Sequence, residues 1–205
     1  LKHTVHLDKV KAEQFVLPIG KKKTHVIGIN PSQITTEDLA VSLQPAANYV
    51  PTDGYSKVAA VERHHNTGKI GVAVAKGYGI RNGAVASSVS HDSHNIIVIG
   101  DNDRDMALAV DEIIRTQGGY TVVENGEVFE TLPLPIMGLM SDAGFESVNE
   151  TLGRMIKKAH EMGVPADIEP FITLSFLALP VIPALRITPR GLCLLTAKGP
   201  EILQE

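Results

Sequence analysis

The sequence predicts an α+β (mixed α/β) domain built on a central multi-stranded β-sheet, with two main amphipathic helices and an N-terminal β-rich segment. Three observations carry this expectation. Between Lys57 and Gly100, four runs ("KVAAVERH", "IGVAVAKGYGI", "GAVASSVS", "NIIVIG") are rich in β-branched residues and parted by glycine or polar turns. Two later stretches repeat apolar residues at helical spacing. Tryptophan is absent and aromatics make up 4% of the chain, so the core must be built from Val, Ile, Leu and Ala, which suits strands covered by a few helices. A length of 205 residues can bury a sizeable core, as one large domain or two small ones.

Taken in order, the N-terminal segment holds short β-rich pieces, the clearest from Thr24 to Ile29, and the lysines at Lys21 to Lys23 form a solvated turn. "THVIGINPSQITTEDLAVSL" alternates weakly around Pro31, and Gln44 to Gly54, with Pro45, Pro51 and Gly54, is a connection. After the four central runs, "DNDRDMALAVDEIIRTQGG" carries acidic residues in its first turn and apolar residues at Met106, Ala109, Val110, Ile113 and Ile114. Gly118 and Gly119 stop it, the pattern of an amphipathic helix. "YTVVENGEVFETLPL" places Asn125 and Gly126 between two alternating runs, the signature of a tight hairpin. A second helix is expected from Ser141 to about Met162, capped by Ser141 or Asp142, with Val148, Leu152, Met155, Ile156 and Ala159 on one face. "PFITLSFLALPVIPALRITPRG" is interrupted by Pro180 and Pro183 and is expected as extended chain packed on the domain.

Composition also bounds the partners. A net charge of -4 offers no basic field for nucleic acid or an anionic membrane surface, so neither is an expected partner. Cys193 is the single cysteine and cannot form an internal disulfide. No signal segment or bilayer-length apolar run is evident, and a reducing cytoplasm is the expected location.

Four of the eight histidines fall in two short motifs at strand ends. In "ERHHNTG", Glu62, Arg63, His64 and His65 close one strand; in "SHDSHN", Ser90, His91, Asp92, Ser93, His94 and Asn95 link two others. Two imidazoles and a carboxylate within a few residues can bind a metal, hold a purine ring by hydrogen bonds or move protons near neutral pH. The plainer alternative is that such residues satisfy exposed backbone groups in turns. Glu62 and Arg63 can equally form an ion pair at the sheet edge, and His64 and His65, as strand neighbours, would point to opposite faces. His3, His6, His25 and His160 are isolated and expected at the surface.

Other patterns carry less. Gly77, Gly79 and Gly83 are spaced one residue too long for a dinucleotide loop, and a β-run follows where a helix is required. No G-x-S-x-G elbow accompanies the serines near His91 and His94. Cys193 is expected as a core thiol, and "DNDRD" as a helix cap without the spacing of a calcium loop.

Three long strings, "ERHHNTGKIGVAVAKGYGIRNGAVASSVSHDSHNIIVIGDNDRDMALAVDEI", "GGYTVVENGEVFETLPLPIMGLMSD" and "PFITLSFLALPVIPALRIT", resemble the C-terminal domain of the adenine deaminases, of the amidohydrolase superfamily. The resemblance runs from about Lys57 to Thr188 and extends over Leu1 to Leu43 through "DKVKAEQFVLP" and "VIGINPSQITTEDL". It implies a β-rich segment over 1–50 beside a barrel that this chain lacks, and the family's C-terminal domain over 51–205. It also implies that the intact enzyme hydrolyses adenine to hypoxanthine and ammonia, using a divalent metal, manganese or iron, held by the barrel, and that it is a homo-oligomer. Within this chain no metal ligand is assigned and none is expected to bind a metal tightly. His91, Asp92 and His94 are candidate contributors to catalysis, and Glu62, Arg63, His64, Ser90 and Asn95 candidate substrate-binding residues.

Two further readings stand beside this one. The chain can be a structural module whose apolar segments "LPLPIMGLM" and "FLALPVIPAL" dock on the barrel or on a second subunit. It can also be a free-standing metal or small-ligand binding domain, resting on the histidines alone.

Overall fold

A computed structural model describes residues 1–203, so the last two positions of the 51–205 domain expectation lie outside the described residues. Eight strands form the main sheet: β1 (Thr24–Ile29), β2 (Thr36–Val41), β3 (Tyr55–Val61), β4 (Ile70–Lys76), β5 (Gly83–Ser87), β6 (Ile96–Gly100), β7 (Gly119–Glu124) and β8 (Glu127–Pro133). Their order is β2-β1-β4-β3-β6-β5-β7-β8. All neighbours are antiparallel except β1 with β4. Residues from the N-terminal segment thus belong to the same sheet as the central runs.

The central strands read as unbroken apolar runs because both faces of the sheet are covered. Ala59, Val61, Ala84, Ala86, Ile96 and Val98 pack on one side against Met106, Ala109, Val110 and Ile113 of α1 (Asp103–Thr116). Val58, Ala60, Val85, Ile97 and Ile99 point to the other side, towards Met155 and Ala159 of α2 (Phe145–Glu161) and Phe171 and Leu174 of α3 (Pro170–Phe176). Each fully buried Val, Ile, Met or Phe side chain contributes up to about 1.5–3 kcal/mol by leaving water. A small sheet of β9 (Leu185–Thr188), β10 (Gly191–Thr196) and β11 (Gly199–Ile202) completes that layer. It sits so close to β4 that a Cβ on Gly71 would run into the carbonyl of Thr188 and the backbone of Gly191.

The expected hairpin forms, with Asn125 at φ 52° and Gly126 at φ 81° between β7 and β8. The first helix also forms as expected. Asn102 accepts a hydrogen bond from the Asp105 amide at its start, and Gln117 takes the left-handed conformation at its end.

Two expectations need correction. The second helix starts at Phe145 with Gly144 as its cap, because the Ser141 hydroxyl is used by the Ala143 amide in a preceding turn and Asp142 pairs with Lys2. The stretch from Pro170 is a helix before it becomes extended. Proline in a first turn has no amide to satisfy, and the Glu169 carboxylate caps the Ile172 amide. Only Pro180 and Pro183 act as breakers, ahead of β9.

Residues 1–10 form no helix or strand but are fastened across one end of the sheet. The Val5 amide donates to Gln117, that of His6 to the Arg63 carbonyl, that of Asp8 to Asn66 and that of Val10 to Asp111. Deeper in, the buried ammonium of Lys57 donates to the Phe15 carbonyl, to Asn48 and to Asp103 at 2.9, 2.7 and 2.5 Å. One side chain so ties the N-terminal segment, the connection before β3 and the first turn of α1 together.

Candidate functional site

Strand β3 pairs with β6 through Val61 opposite Ile96, so the loop leaving β3 and the loop entering β6 emerge side by side. The two histidine-bearing motifs therefore meet at one end of the sheet. The strand runs end earlier than their apolar character suggests, with β3 stopping at Val61 and β5 at Ser87, so all the candidate residues lie in loops. His64 and His65 consequently do not alternate across a sheet as expected; their rings lie 6.3 Å apart on the same turn.

Glu62 organises that turn. Its carboxylate accepts the amides of His64, His65 and Thr67 at 2.6, 3.0 and 3.1 Å and the Thr67 hydroxyl at 3.0 Å. Partial burial pushes its pKa up, but these donors outweigh burial and hold it below the usual carboxylate value. No ion pair joins Glu62 to Arg63. Instead Arg63 is buried and donates to main-chain oxygens of His94, Thr4 and Met137 and to the Thr4 hydroxyl. Burial lowers its pKa, with carbonyl dipoles in place of a carboxylate.

The second loop is bound to the first. His64 Nε2 lies 2.7 Å from the Ser93 carbonyl, and buried Asn95 accepts the Arg63 amide at 3.2 Å while donating to Ser93 Oγ at 3.1 Å. The Ser90 amide donates to His94 Nδ1 at 3.2 Å, which leaves the His94 proton on Nε2. Burial, then repulsion from His91 and Arg63, lowers the His94 pKa, so the ring is neutral at neutral pH. Ser90 is buried, and its hydroxyl has no partner among the described residues. His91 is half-exposed, with its ring 4.8 Å from that of Phe176 and 5.6 Å from that of His94. Asp92 is exposed, its carboxylate 3.7 Å from His91 Nδ1. The candidates therefore divide. Arg63, His64, His94 and Asn95 are engaged in joining the loops, whereas His91 and Asp92 stand at the tip.

A cavity of about 530 Å³ opens beside the tip, with Glu62, Asp92 and Asn95 on one wall and Val181, Cys193 and Ile202 on the other. Cys193 is buried, and burial pushes its thiol pKa up, as suits a core residue. Among the described residues no three His, Cys, Asp or Glu side chains are grouped to hold a metal ion. The loop histidines do not fit one either, since His94 Nδ1 is already an acceptor and the His91 ring lies against Phe176. Phe176 is the site residue that the sequence does not single out, and only a helical reading of Pro170–Phe176 would have brought it to His91. Of the isolated histidines, His3 and His6 are exposed, whereas His25 pairs with Asp38 at 2.8 Å and His160 lies 3.0 Å from the Val164 carbonyl.

A family described as the adenine deaminase C-terminal domain matches residues 33–198. The chain is 51% identical over 194 residues to an adenine deaminase of Desulfitobacterium hafniense, covering 94% of this chain and 34% of that protein. It is 48% identical over 195 residues to one of Nitratidesulfovibrio vulgaris (strain DP4), with the same coverage. One from Listeria monocytogenes is 42% identical over 197 residues, covering 94% of this chain and 33% of the relative. The chain thus spans about a third of the length of the curated relatives it matches.

Proposed function

The chain belongs to the adenine deaminase C-terminal domain family, and on that premise we propose that it is the supporting lobe of an enzyme that hydrolyses adenine to hypoxanthine and ammonia. In that reaction water adds its oxygen at C6 and the C6–N bond breaks, the amine leaving as ammonia once protonated. Aromatic C6 is a poor electrophile, so the step needs a nucleophilic hydroxide near neutral pH and a group that protonates the departing nitrogen. The residues here do not fit a metal. The manganese or iron of the resemblance belongs to the part of the longer relatives outside this chain. Adenine as substrate, the barrel as neighbour, a homo-oligomeric assembly and a cytoplasmic location belong to the same proposal, as does the β-rich role of residues 1–50.

The observation that carries the reading is the division among the loop residues. Arg63, His64, Asn95 and His94 hold the two loops rigid by bonds within the lobe, and this leaves His91 and Asp92 at the tip, with Asp92 on the cavity wall and His91 against Phe176. A rigid tip is suited to closing over a base and excluding water, with the imidazole of His91 and the carboxylate of Asp92 as hydrogen-bonding groups for a purine edge. Replacing His91, Asp92 and His94 singly by Ala in the full-length enzyme tests this. A fall in kcat or a rise in KM for adenine with metal content unchanged supports it, and unchanged turnover in all three removes the contribution.

A second reading, an assembly module without direct chemistry, is favoured by the same engaged residues, since each side-chain nitrogen of Arg63 donates within the lobe itself. Isothermal titration of adenine into full-length protein and into its His91→Ala variant separates the two. Equal affinities favour the module.

A further inference from the structure

Three exposed apolar side chains form a ridge at the end of the sheet that carries the histidine loops. Met137 is 43% exposed, Met140 52% and Phe145 79%. Backbone bonds and one ion pair fasten this stretch to itself and to the N-terminus. The Met137 amide donates to the Leu1 carbonyl at 2.8 Å, Met140 and Ile136 bridge to each other, and Lys2 pairs with Asp142 at 2.6 Å.

The ridge is preformed. Met137 holds φ 59° and Gly138 φ 73°, and a Cβ on Gly138 would strike the Arg63 guanidinium. Arg63 Nη2 donates to the Met137 carbonyl at 3.0 Å, and the Ser88 hydroxyl to the Gly138 carbonyl at 2.6 Å. The left-handed conformation strains a methionine. Here that strain holds an apolar side chain in water, on a loop braced by a buried arginine.

We propose that this ridge is the seat of the polypeptide that precedes residue 1 in a protein of the relatives' length. The proposal rests on the reading of the chain as a C-terminal domain. In such a protein about two-thirds of the length lies outside the matched stretch, as the coverage of 34% requires. The tail is pinned at Leu1, Val5, His6, Asp8 and Val10, so chain that precedes it in such a protein leaves the lobe beside the ridge. Area argues for a covalently attached neighbour over a second copy. A stable dimer buries about 800 Å² on each partner, beyond what three side chains supply, whereas a tethered domain meets its contact at roughly millimolar effective concentration. Methionines, adaptable in shape, suit a surface that must fit a separately folded neighbour.

Maleimide labelling of full-length protein tests this, with peptide mass as the readout. Phe145→Cys is compared with Val50→Cys, an exposed position in the connection before β3. The expected result is labelling at position 145 at least about tenfold slower than at position 50, unchanged on dilution, because closure protects only buried sites. Equal rates overturn the proposal, and so does protection that disappears on dilution, which assigns the ridge to a second copy. Met137→Asp with Phe145→Asp in the same protein is expected to split one unfolding transition into two, and a single unshifted transition counts against the proposal. A full-length protein in which position 145 is shielded but adenine is not deaminated keeps the ridge assignment and loses the functional reading.

Discussion

His64 Nε2 lies 2.7 Å from the main-chain oxygen of Ser93, a link between loops 29 residues apart. A carbonyl can only accept, so Nε2 carries the proton. Replacing His64 by Ala is expected to lower stability by about 1 kcal/mol, the net worth of one such bond. A urea midpoint that falls with an unchanged slope would show it, together with faster amide exchange over 91–94. An unchanged midpoint would mean the link contributes nothing.

Arg63 is a sharper case because it serves three segments at once. Arg63→Met leaves part-buried carbonyls of His94, Met137 and Thr4 without a donor, at an expected cost of up to about 3 kcal/mol. Arg63→Lys should recover little, since one ammonium cannot span positions that a planar fork reaches. A lysine variant as stable as the parent chain in denaturant would refute the bracing role.

Two glycines should respond with opposite signs. Gly138→Ala forces a left-handed alanine against the Arg63 guanidinium and is expected to destabilise by about 1–3 kcal/mol. Gly153→Ala, in the interior of α2 with open space around its Cβ position, is expected to stabilise by about 0.5–1 kcal/mol. Thermal unfolding of the pair checks both, and a shift in the same direction would contradict the geometry.

Acid should act on the loops through two groups. Glu62 has a folded pKa below its ordinary value of 4.5, so the folded state binds fewer protons. Its stabilisation is present above that value and is lost as pH falls through the lower folded one. Glu62→Gln should flatten this acid limb. His94 has a folded pKa below 6.5, so the unfolded chain takes up its proton first, and stability declines as pH drops below 6.5 until the folded ring also titrates. His94→Gln should remove that decline, and parallel stability profiles for variant and parent between about pH 7.5 and 5.5 would exclude the role.

Much of the fold was legible because periodicity and turn chemistry agreed. The β-branched runs, the Asn125–Gly126 hairpin and the face of α1 each declare themselves within a short window. What escaped depends on distant partners. That Ser141 and Asp142 do not cap α2 follows from Lys2 and from a local turn, and that Arg63 lacks a carboxylate partner follows from carbonyls of Thr4, His94 and Met137. The approach of the two histidine motifs was visible only as a pair of strand ends. The pairing of Val61 with Ile96 brings them together, and a register cannot be read from either strand alone. The prolines misled in the opposite sense, since Pro170 opens a helix where Pro180 and Pro183 interrupt extended chain.

The three-way grip on the Lys57 ammonium makes this side chain a clock for the whole lobe. Lys57 is 1% exposed and its ammonium is held by oxygens of three segments, so an amine-modifying reagent cannot reach the nitrogen while those segments stay together. Exposed lysines such as Lys21, Lys22 and Lys23 would be acylated at once. The lag before Lys57 follows would time how often β3, α1 and the N-terminal segment part company.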